Sequence, residues 1–493
     1  MLRASLLLLV VLPAAAETAS VSPVRWESWS NGVFARARKE HRLVLLDLEA
    51  VWCHWCHVMD KTTYQDPRVV ALLAERYIAV KVDQDARPDL SGRYQDYGWP
   101  ATVIFDAGGR ELAKRRGYIA PEGMAGMLKA FADDPTPGPS VRPERRNGTA
   151  RSASLTAALR EELERRHVES YDDDAGGWGT GHKYVDWPSV EYALQRAGQG
   201  DAEAERRARQ TLTAGLALLD PAWGGVYQYS TGGVWSEPHF EKLAQFQGEL
   251  MRLYALSYRR LGDESYLRAA REIARFVASF LTSPEGGFYA SQDADLVPGE
   301  HSADYFALDD GARRRLGVPR VDRHVYAREN GWLIRGLAEL TQATREPETL
   351  RAAVRAAEWV LAHRALPGGG FAHGEEDAGG PFLGDTLAMA QAFLALHTAT
   401  GESRWLERAE ECAHYLEETW RRRSPRRRQA QSGAEQNAAL VRLGVELARR
   451  TGKDFYRGIA RQAMRYLAAP AVARAEPPAP LLLADWDLRD TSR

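Results

Sequence analysis

The chain has 493 residues, more than a single hydrophobic core accommodates, so more than one domain is expected. Its 65 basic and 67 acidic residues leave a net charge of -2, which removes any electrostatic case for nucleic acid or a membrane surface as partner. No apolar run reaches the roughly 18–20 residues needed to span a bilayer.

In chain order, Arg3, the apolar stretch Leu6 to Leu12 and Ala14-Ala15-Ala16 match a signal peptide over 1–16. The mature protein is then expected to be soluble after cleavage, and periplasmic or secreted. From 24 to 134 the pattern is mixed. A helix is predicted over 29–40 and a buried strand over 43–48. Cys53-His54-Trp55-Cys56-His57 opens a second helix and Asp66-Pro67 a third. Strands follow over 78–82, 101–105 and 111–118, then a helix over 121–132, which together describe a small α/β domain. Residues 135–150, rich in Pro, Gly and Arg, read as a linker, and the sequon Asn147-Gly148-Thr149 within it as incidental.

Beyond the linker strand signals nearly vanish. Helical stripes come in pairs: 187–199 with 203–219, 240–261 with 265–282, 325–344 with 349–365, 382–399 with 403–420, and 433–451 with 454–468. Between them recur Gly176-Gly177-Trp178, Gly224-Gly225-Val226-Tyr227, Gly286-Gly287-Phe288-Tyr289 and Gly369-Gly370-Phe371. Such repetition predicts an all-α domain over 151–470, a double-layered (α/α)6 six-hairpin barrel, with an open solenoid as the alternative and 471–493 as a tail. Cys412 falls in a helical stripe with Leu406, Ala409 and Leu416 and reads as a buried small hydrophobe. The local arginine cluster at 421–428 reads as a solvated inter-helix loop.

Only three cysteines exist, and two of them form a CxxC at a strand–helix junction, the pattern of thiol–disulfide exchange. Attack on a disulfide needs a thiolate. The start of a helix, with its unpaired amides and dipole, stabilises one at Cys53, and His54 and His57 add positive charge when protonated. Cys56 is then the resolving thiol, and Asp47 is placed to take its proton. This reading requires Cys53 to be exposed. Cys-x-x-Cys-His is also the attachment signature of c-type haem, with His57 as the ligand, and that alternative stays open on these residues alone. A zinc site is disfavoured because Cys53 and His54 are adjacent and point apart. Asp83, Asp85 and Asp89 read as a solvated acidic loop. No metal and no cofactor is expected.

The arrangement resembles the thioredoxin fold: Asp47 and Trp52 stand at matching places around the CxxC, and Trp99-Pro100 resembles the cis-proline turn that faces the disulfide. Trp52 to Met59, together with Val82-Asp83 through Arg87-Pro88-Asp89, is more narrowly similar to the spermatogenesis-associated thioredoxin-like family. That resemblance covers roughly 24–470 and implies a thioredoxin-like domain joined to a six-hairpin barrel. It also implies that Pro100 positions a substrate backbone. Two stretches of the barrel carry the likeness too, Pro238-His239-Phe240-Glu241-Lys242 and Ser291-Gln292-Asp293-Ala294-Asp295. The chain departs from the family at Gln245-Phe246-Gln247 and at 432–437, which puts inherited barrel chemistry in doubt.

A cleft is expected where the inter-hairpin loops converge, and Trp178, His182, Tyr184, His239, Glu241, Lys242, Asp293 and Asp295 are its candidate substrate-binding residues, with His373 and Glu375 nearby in the pattern. Carboxylate pairs and histidines there suit acid–base work on a sugar. Three functions follow: an exported thiol–disulfide oxidoreductase whose partner is a thiol- or disulfide-bearing protein and whose barrel binds a glycan or protein; a carbohydrate-active barrel, epimerase- or glycosidase-like, with an accessory thioredoxin-like domain; and a binding protein with structural cysteines.

Overall fold

The computed structural model describes residues 23–141, 148–377, 379–422 and 433–490. The expected signal peptide, Asn147 of the sequon and most of the arginine cluster lie outside them.

In the N-terminal domain α1 (Asn31–Glu40) leads to β1 (Leu43–Glu49), α2 (His54–Lys61), α3 (Pro67–Arg76), β2 (Tyr77–Asp83), α4 (Pro88–Tyr94), β3 (Ala101–Phe105), β4 (Glu111–Arg116) and α5 (Pro121–Asp133). The sheet order is β2-β1-β3-β4, with β1 parallel to β2 and antiparallel to β3, and β3 antiparallel to β4. A continuous apolar run suits β1 because helices cover both faces. Val44, Leu46 and Leu48 meet Val33 and Ala37 of α1, while Leu45 meets Met59, Val69 and Leu73 of α2 and α3. Alternation puts Asp47 on the Leu45 face, beneath α2.

The rest is helical. Six inner helices, Trp187–Ala197, Ala244–Leu261, Ala327–Thr344, Leu383–Thr400, Ala434–Thr451 and Pro478–Asp490, touch in that order, and the last returns to the first. The ring is therefore closed, an (α/α)6 barrel, and the open solenoid is ruled out. Each inner helix has an outer partner. Five of these hairpins match the predicted pairs; the sixth joins Ala157–Glu169 to Pro478–Asp490, the first and last helices of the domain. The segment expected to be a tail is thus structural. Leu481, Leu482, Leu483 and Ala484 are all buried, and Asp485 accepts from Leu155 N at 3.1 Å and Arg160 Nε at 2.8 Å. A helix buried on most sides shows no amphipathic stripe, which hid it from periodicity.

The glycine–aromatic repeats have one structural job. Trp178, Val226, Phe288 and Phe371 each form a bridge back to the end of the preceding helix. The amides of Gly177, Val226, Phe288 and Phe371 donate to Thr211 Oγ1, Gln247 Oε1, Asn330 Oδ1 and Thr386 Oγ1, which ties each turn to another helix. Gln247, within a run that departs from the family, is one of these ties, and its own Nε2 donates to Val226 O at 2.8 Å. Inner helices also approach closely at Gly248, where a Cβ would lie 2.6 Å from the Trp332 backbone.

At one end of the ring the short strands Lys242–Leu243, Ser291–Gln292 and Val321–Asp322 pair antiparallel. The N-terminal domain sits against this end. Asp293 N and Ala290 N carry the pairing onward to Arg320 O and Asp322 O, so the loop Asp293 to Gly299 leaves the sheet directly beneath the CxxC helix.

Candidate active site

Cys53 is the N-cap of α2, in an extended conformation, and its Sγ accepts from Cys56 N at 3.2 Å. The two cysteines form a disulfide with their Cα atoms 5.3 Å apart. Both sulfurs therefore lie at the amide-rich start of the helix, as the pattern predicted. Their exposure does not follow the prediction: Cys53 is 4 % and Cys56 3 % exposed. Ala50, Trp52, Trp99 and, from the barrel, Leu243 pack around them. The barrel is the cause, and no reading of the N-terminal domain alone anticipates it. The Trp99–Pro100 peptide is cis, as the resemblance implied, and Pro100 is buried, with its carbonyl accepting from Gly117 N.

Both histidines of the motif reach into the barrel. His54 Nδ1 lies 2.7 Å from Asp295 Oδ1, and His57 Nδ1 lies 3.0 Å from Asp295 Oδ2. The second nitrogen of His57 donates to Val51 O at 3.1 Å. Burial disfavours charge on Asp295, yet bonds from His54, His57 and the Gly299 amide outweigh it and hold the acid at about 2. Burial also works against charge on His57, but Asp295 and Asp293 overcome it and raise its pKa. A carbonyl and an ionised carboxylate only accept, so His57 donates from both nitrogens and is an imidazolium in this arrangement. Asp293 is 2 % exposed; its Oδ1 accepts from Asp295 N, and its Oδ2 lies 3.7 Å from His57 Nε2. Burial pushes Asp293 up to about 7, against the pull of His57.

Asp295 and Asp293, singled out for a sugar cleft, thus belong to the redox motif's surroundings. Two groups of candidates drawn from separate domains meet in one place.

Asp47 is buried, and burial raises it to about 7 against the opposing charge of Lys81, whose Nζ lies 3.4 Å away. Lys81 is held in turn by Glu49 and Asp60, and the Asp47 Oδ1 finds no partner among the described residues. A carboxyl that titrates near neutrality suits proton exchange.

A second histidine crosses the interface from the other side. His373, 2 % exposed, donates to Asp385 Oδ1 at 2.8 Å and to the Asp85 carbonyl of the N-terminal domain at 2.6 Å. Asp85 is not solvated as the acidic-loop reading had it. It is buried and accepts from Trp52 Nε1 at 2.7 Å, which pins the residue before Cys53. Burial and the charges of Asp83 and Glu329 raise its pKa.

The other barrel candidates separate. Trp178 is a core residue: it stacks on His167 and donates to His167 O. Lys242 is fully buried, with Nζ 2.6 Å from Asp220 Oδ2 and 2.9 Å from Gly224 O, and burial lowers it to about 8 against the attraction of Asp220. Arg313 binds the same carboxylate at 2.7 Å, so this is a structural knot. His239 stacks on Tyr229 at 4.4 Å and lies 3.7 Å from Glu241, while His182 is exposed, edge-on to Tyr229. Tyr184 lines the mouth of the barrel with Trp187, Phe382 and Asp385. Cys412 is free and buried. The residues missed were Leu243, Asp85, Glu329, Trp187 and Asp385. Each reads as ordinary core or surface until the two domains are juxtaposed.

Donor atoms come within 4.8 Å in His57, Asp293 and Asp295, in Glu329, His373 and Asp385, and in Asp47, Glu49 and Asp60. In the first two groups each histidine nitrogen faces an oxygen, so a metal fits only where one of those bonds is given up. Haem attachment fits no better, because the sulfurs are joined to each other and His57 is committed to Asp295 and Val51.

Residues 16–132 match the family model Thioredox_DsbH, described as "Protein of unknown function, DUF255". The N-terminal domain is a Thioredox_DsbH domain. The chain is homologous to spermatogenesis-associated protein 20: the mouse protein is 25 % identical over 414 residues, covering 77 % of this chain and 49 % of that one. The chain therefore spans about half the length of that curated relative. The Thioredox_DsbH region is also similar to thiol:disulfide interchange protein DsbD 1 of Pseudomonas aeruginosa, 32 % identical over 121 residues, 22 % of this chain and 20 % of that one. The barrel shares its fold with a D-mannose isomerase, at TM-score 0.51 and 11 % identity over 68 % of this chain and 96 % of that one. Among the described residues no helix is long and apolar enough to cross a membrane.

Proposed function

We propose that the protein is an exported thiol–disulfide oxidoreductase whose redox pair is enclosed by its own barrel. The observation that carries this is the Cys53–Cys56 disulfide at the start of α2, in a Thioredox_DsbH domain similar to DsbD, packed against Trp99 and above a buried carboxyl. The N-terminal charge and apolar run support export. In the exchange a thiolate of the partner attacks one sulfur of the pair, the Cys53–Cys56 bond breaks, and a mixed disulfide forms. The freed cysteine of the pair takes up a proton. The partner's second thiol then attacks the mixed bond, leaving the partner oxidised and both cysteines reduced; the reverse sequence reduces a partner disulfide. Asp47, on the strand under α2, is the buried group suited to exchange the Cys56 proton.

A pair that is 4 % and 3 % exposed cannot meet a protein in this arrangement. Exchange therefore requires the Asp293–Gly299 loop and Leu243 to withdraw, and Asp295 is the latch. The test is trapping: Cys56→Ser in the full chain should accumulate a mixed disulfide through Cys53, with a larger yield when combined with Asp295→Ala. Absence of any adduct in both, with no turnover of a model disulfide, refutes the proposal.

A second reading, that the barrel acts on a carbohydrate, is supported by the fold shared with D-mannose isomerase and by the cavity at the barrel mouth. Sugar turnover that survives Cys53→Ser would favour it.

A further inference from the structure

Between α4 of the N-terminal domain and the open end of the barrel lie two adjoining cavities of about 330 and 320 Å³, which share Arg328, Gly384 and Gln436 in their walls. The outer one is walled by Tyr184, Trp187 and Phe382 and roofed by Pro88 and Gly92 of α4. The inner one reaches Trp99 and Leu243, the same side chains that pack on the disulfide.

The polar chemistry of these walls is lopsided. Asp385 is fully buried, and its Oδ2 finds no partner among the described residues; the same holds for Oε2 of Glu329, which is 4 % exposed, and for Oε1 of Gln436. All three residues line the cavities, and all three atoms are acceptors. The cation common to both cavities is turned toward one of these acids: Arg328 Nε and Nη2 donate to Glu329 Oε1 at 3.0 and 2.6 Å, and the guanidinium lies over Trp332 at 4.9 Å. Buried acceptors without donors are costly, whereas a ligand that brings donors satisfies them. Flat aromatic walls add apolar surface for a ring. The volume is that of a small-molecule site, too small for a folded partner.

We propose that this interdomain space is a binding site for a small ring-shaped ligand rich in hydrogen-bond donors, a monosaccharide-sized polyol or amino polyol. The donors meet Asp385, Glu329 and Gln436, and the ring faces meet Trp187 and Phe382. This deepens the carbohydrate reading of the barrel but requires no turnover, and it is independent of the thiol chemistry. Because α4 forms the roof, the site exists only while the two domains are apposed.

The experiment is titration of the full-length protein, followed by calorimetry and tryptophan fluorescence, with D-mannose, D-glucosamine and, as an acceptor-rich control, D-glucuronate. Saturable binding of mannose or glucosamine, with glucuronate weaker, is the expected result; the ratio of the first two distinguishes hydroxyl from ammonium donors. Asp385→Asn should weaken binding about tenfold, the loss of one charge-assisted bond. Since that change also touches His373, Gly384→Leu serves as the second variant. A Cβ there lies 3.4 Å from Arg328 Cδ and 3.5 Å from Gln436 Nε2, so a leucine projects into the space without removing a contact. It should abolish binding while leaving reduction of Cys53–Cys56 by dithiothreitol unchanged. No saturable binding of any probe at millimolar concentration, tightest binding of glucuronate, or binding that survives Gly384→Leu overturns the proposal. A thiol assay that fails while sugar binding holds would instead count against the oxidoreductase reading alone.

Discussion

Histidines bridge the domains from opposite sides, and His57 and His373 do different work. His57 belongs to the redox motif and grips a barrel loop through Asp295; its side chain is 14 % exposed. His373 belongs to the barrel and grips the backbone of the Asp85 turn from a fully enclosed position. Each spends both nitrogens as donors, so each bond set is complete only in the protonated state. The His57 contact lies nearer the rim, where the loop passes from buried Asp295 to exposed Val297. The His373 contact lies inside, where its loss leaves the Asp85 carbonyl without its donor and the buried Asp385 with the Arg328 amide alone. One is built as a latch, the other as a hinge pin.

The sharpest break in that comparison is His373→Ala. It should cost about 3 kcal/mol of stability, because a buried charged pair loses one member. Denaturant unfolding would show this as a lower midpoint, and a midpoint equal to wild type would show that His373 carries no structural load. Asp295→Ala comes next. It should lower the unfolding midpoint less than His373→Ala does while speeding reduction of Cys53–Cys56 by tris(2-carboxyethyl)phosphine about tenfold, since the bonds from His54 and His57 to the latch disappear. An unchanged rate would mean that the loop does not limit access.

The pH response sharpens the contrast further. Both histidines have pKa values raised in the closed arrangement, His57 by Asp295 and Asp293 against burial, His373 by Asp385 against burial. A group whose pKa is raised on closing contributes its full stabilisation below its ordinary value, near about 6.5, and loses it as pH climbs through the raised one. Closure should therefore weaken on the alkaline side. With the phosphine as reductant, the rate should rise several-fold from about pH 6 to 9. His57→Gln should flatten that rise, and a rise that persists in it would place the control elsewhere. The smallest effect is expected at Cys412→Ala. Removing one buried sulfur should cost about 1 kcal/mol and leave the reduction rate of the pair untouched.

Much of the architecture was legible in advance because periodicity reports burial. The run at 43–48 had to be covered on both faces, and five hairpins announced themselves by their stripes. The sixth did not, because Pro478–Asp490 is apolar over most of its surface and its partner lies more than 300 residues earlier. At the site, Cys53, Cys56 and Asp47 were visible from spacing alone. Trp178 and Lys242 were misjudged for one physical reason: a polar or aromatic residue beside a glycine turn can face a cleft or close a core, and only its partners, His167 in one case and Asp220 in the other, decide which.

The linear chain determined the chemistry that can occur: a CxxC at a helix start, a buried acid on the adjoining strand, and helical hairpins too amphipathic to exist singly. Tertiary structure alone decided that the pair is covered, that Asp295 answers two histidines some 240 positions away, and that unsatisfied acceptors from three successive inner helices line one space. Local sequence encodes what each segment buries, whereas contact between distant segments depends on how whole faces fit, and no short-range pattern carries that.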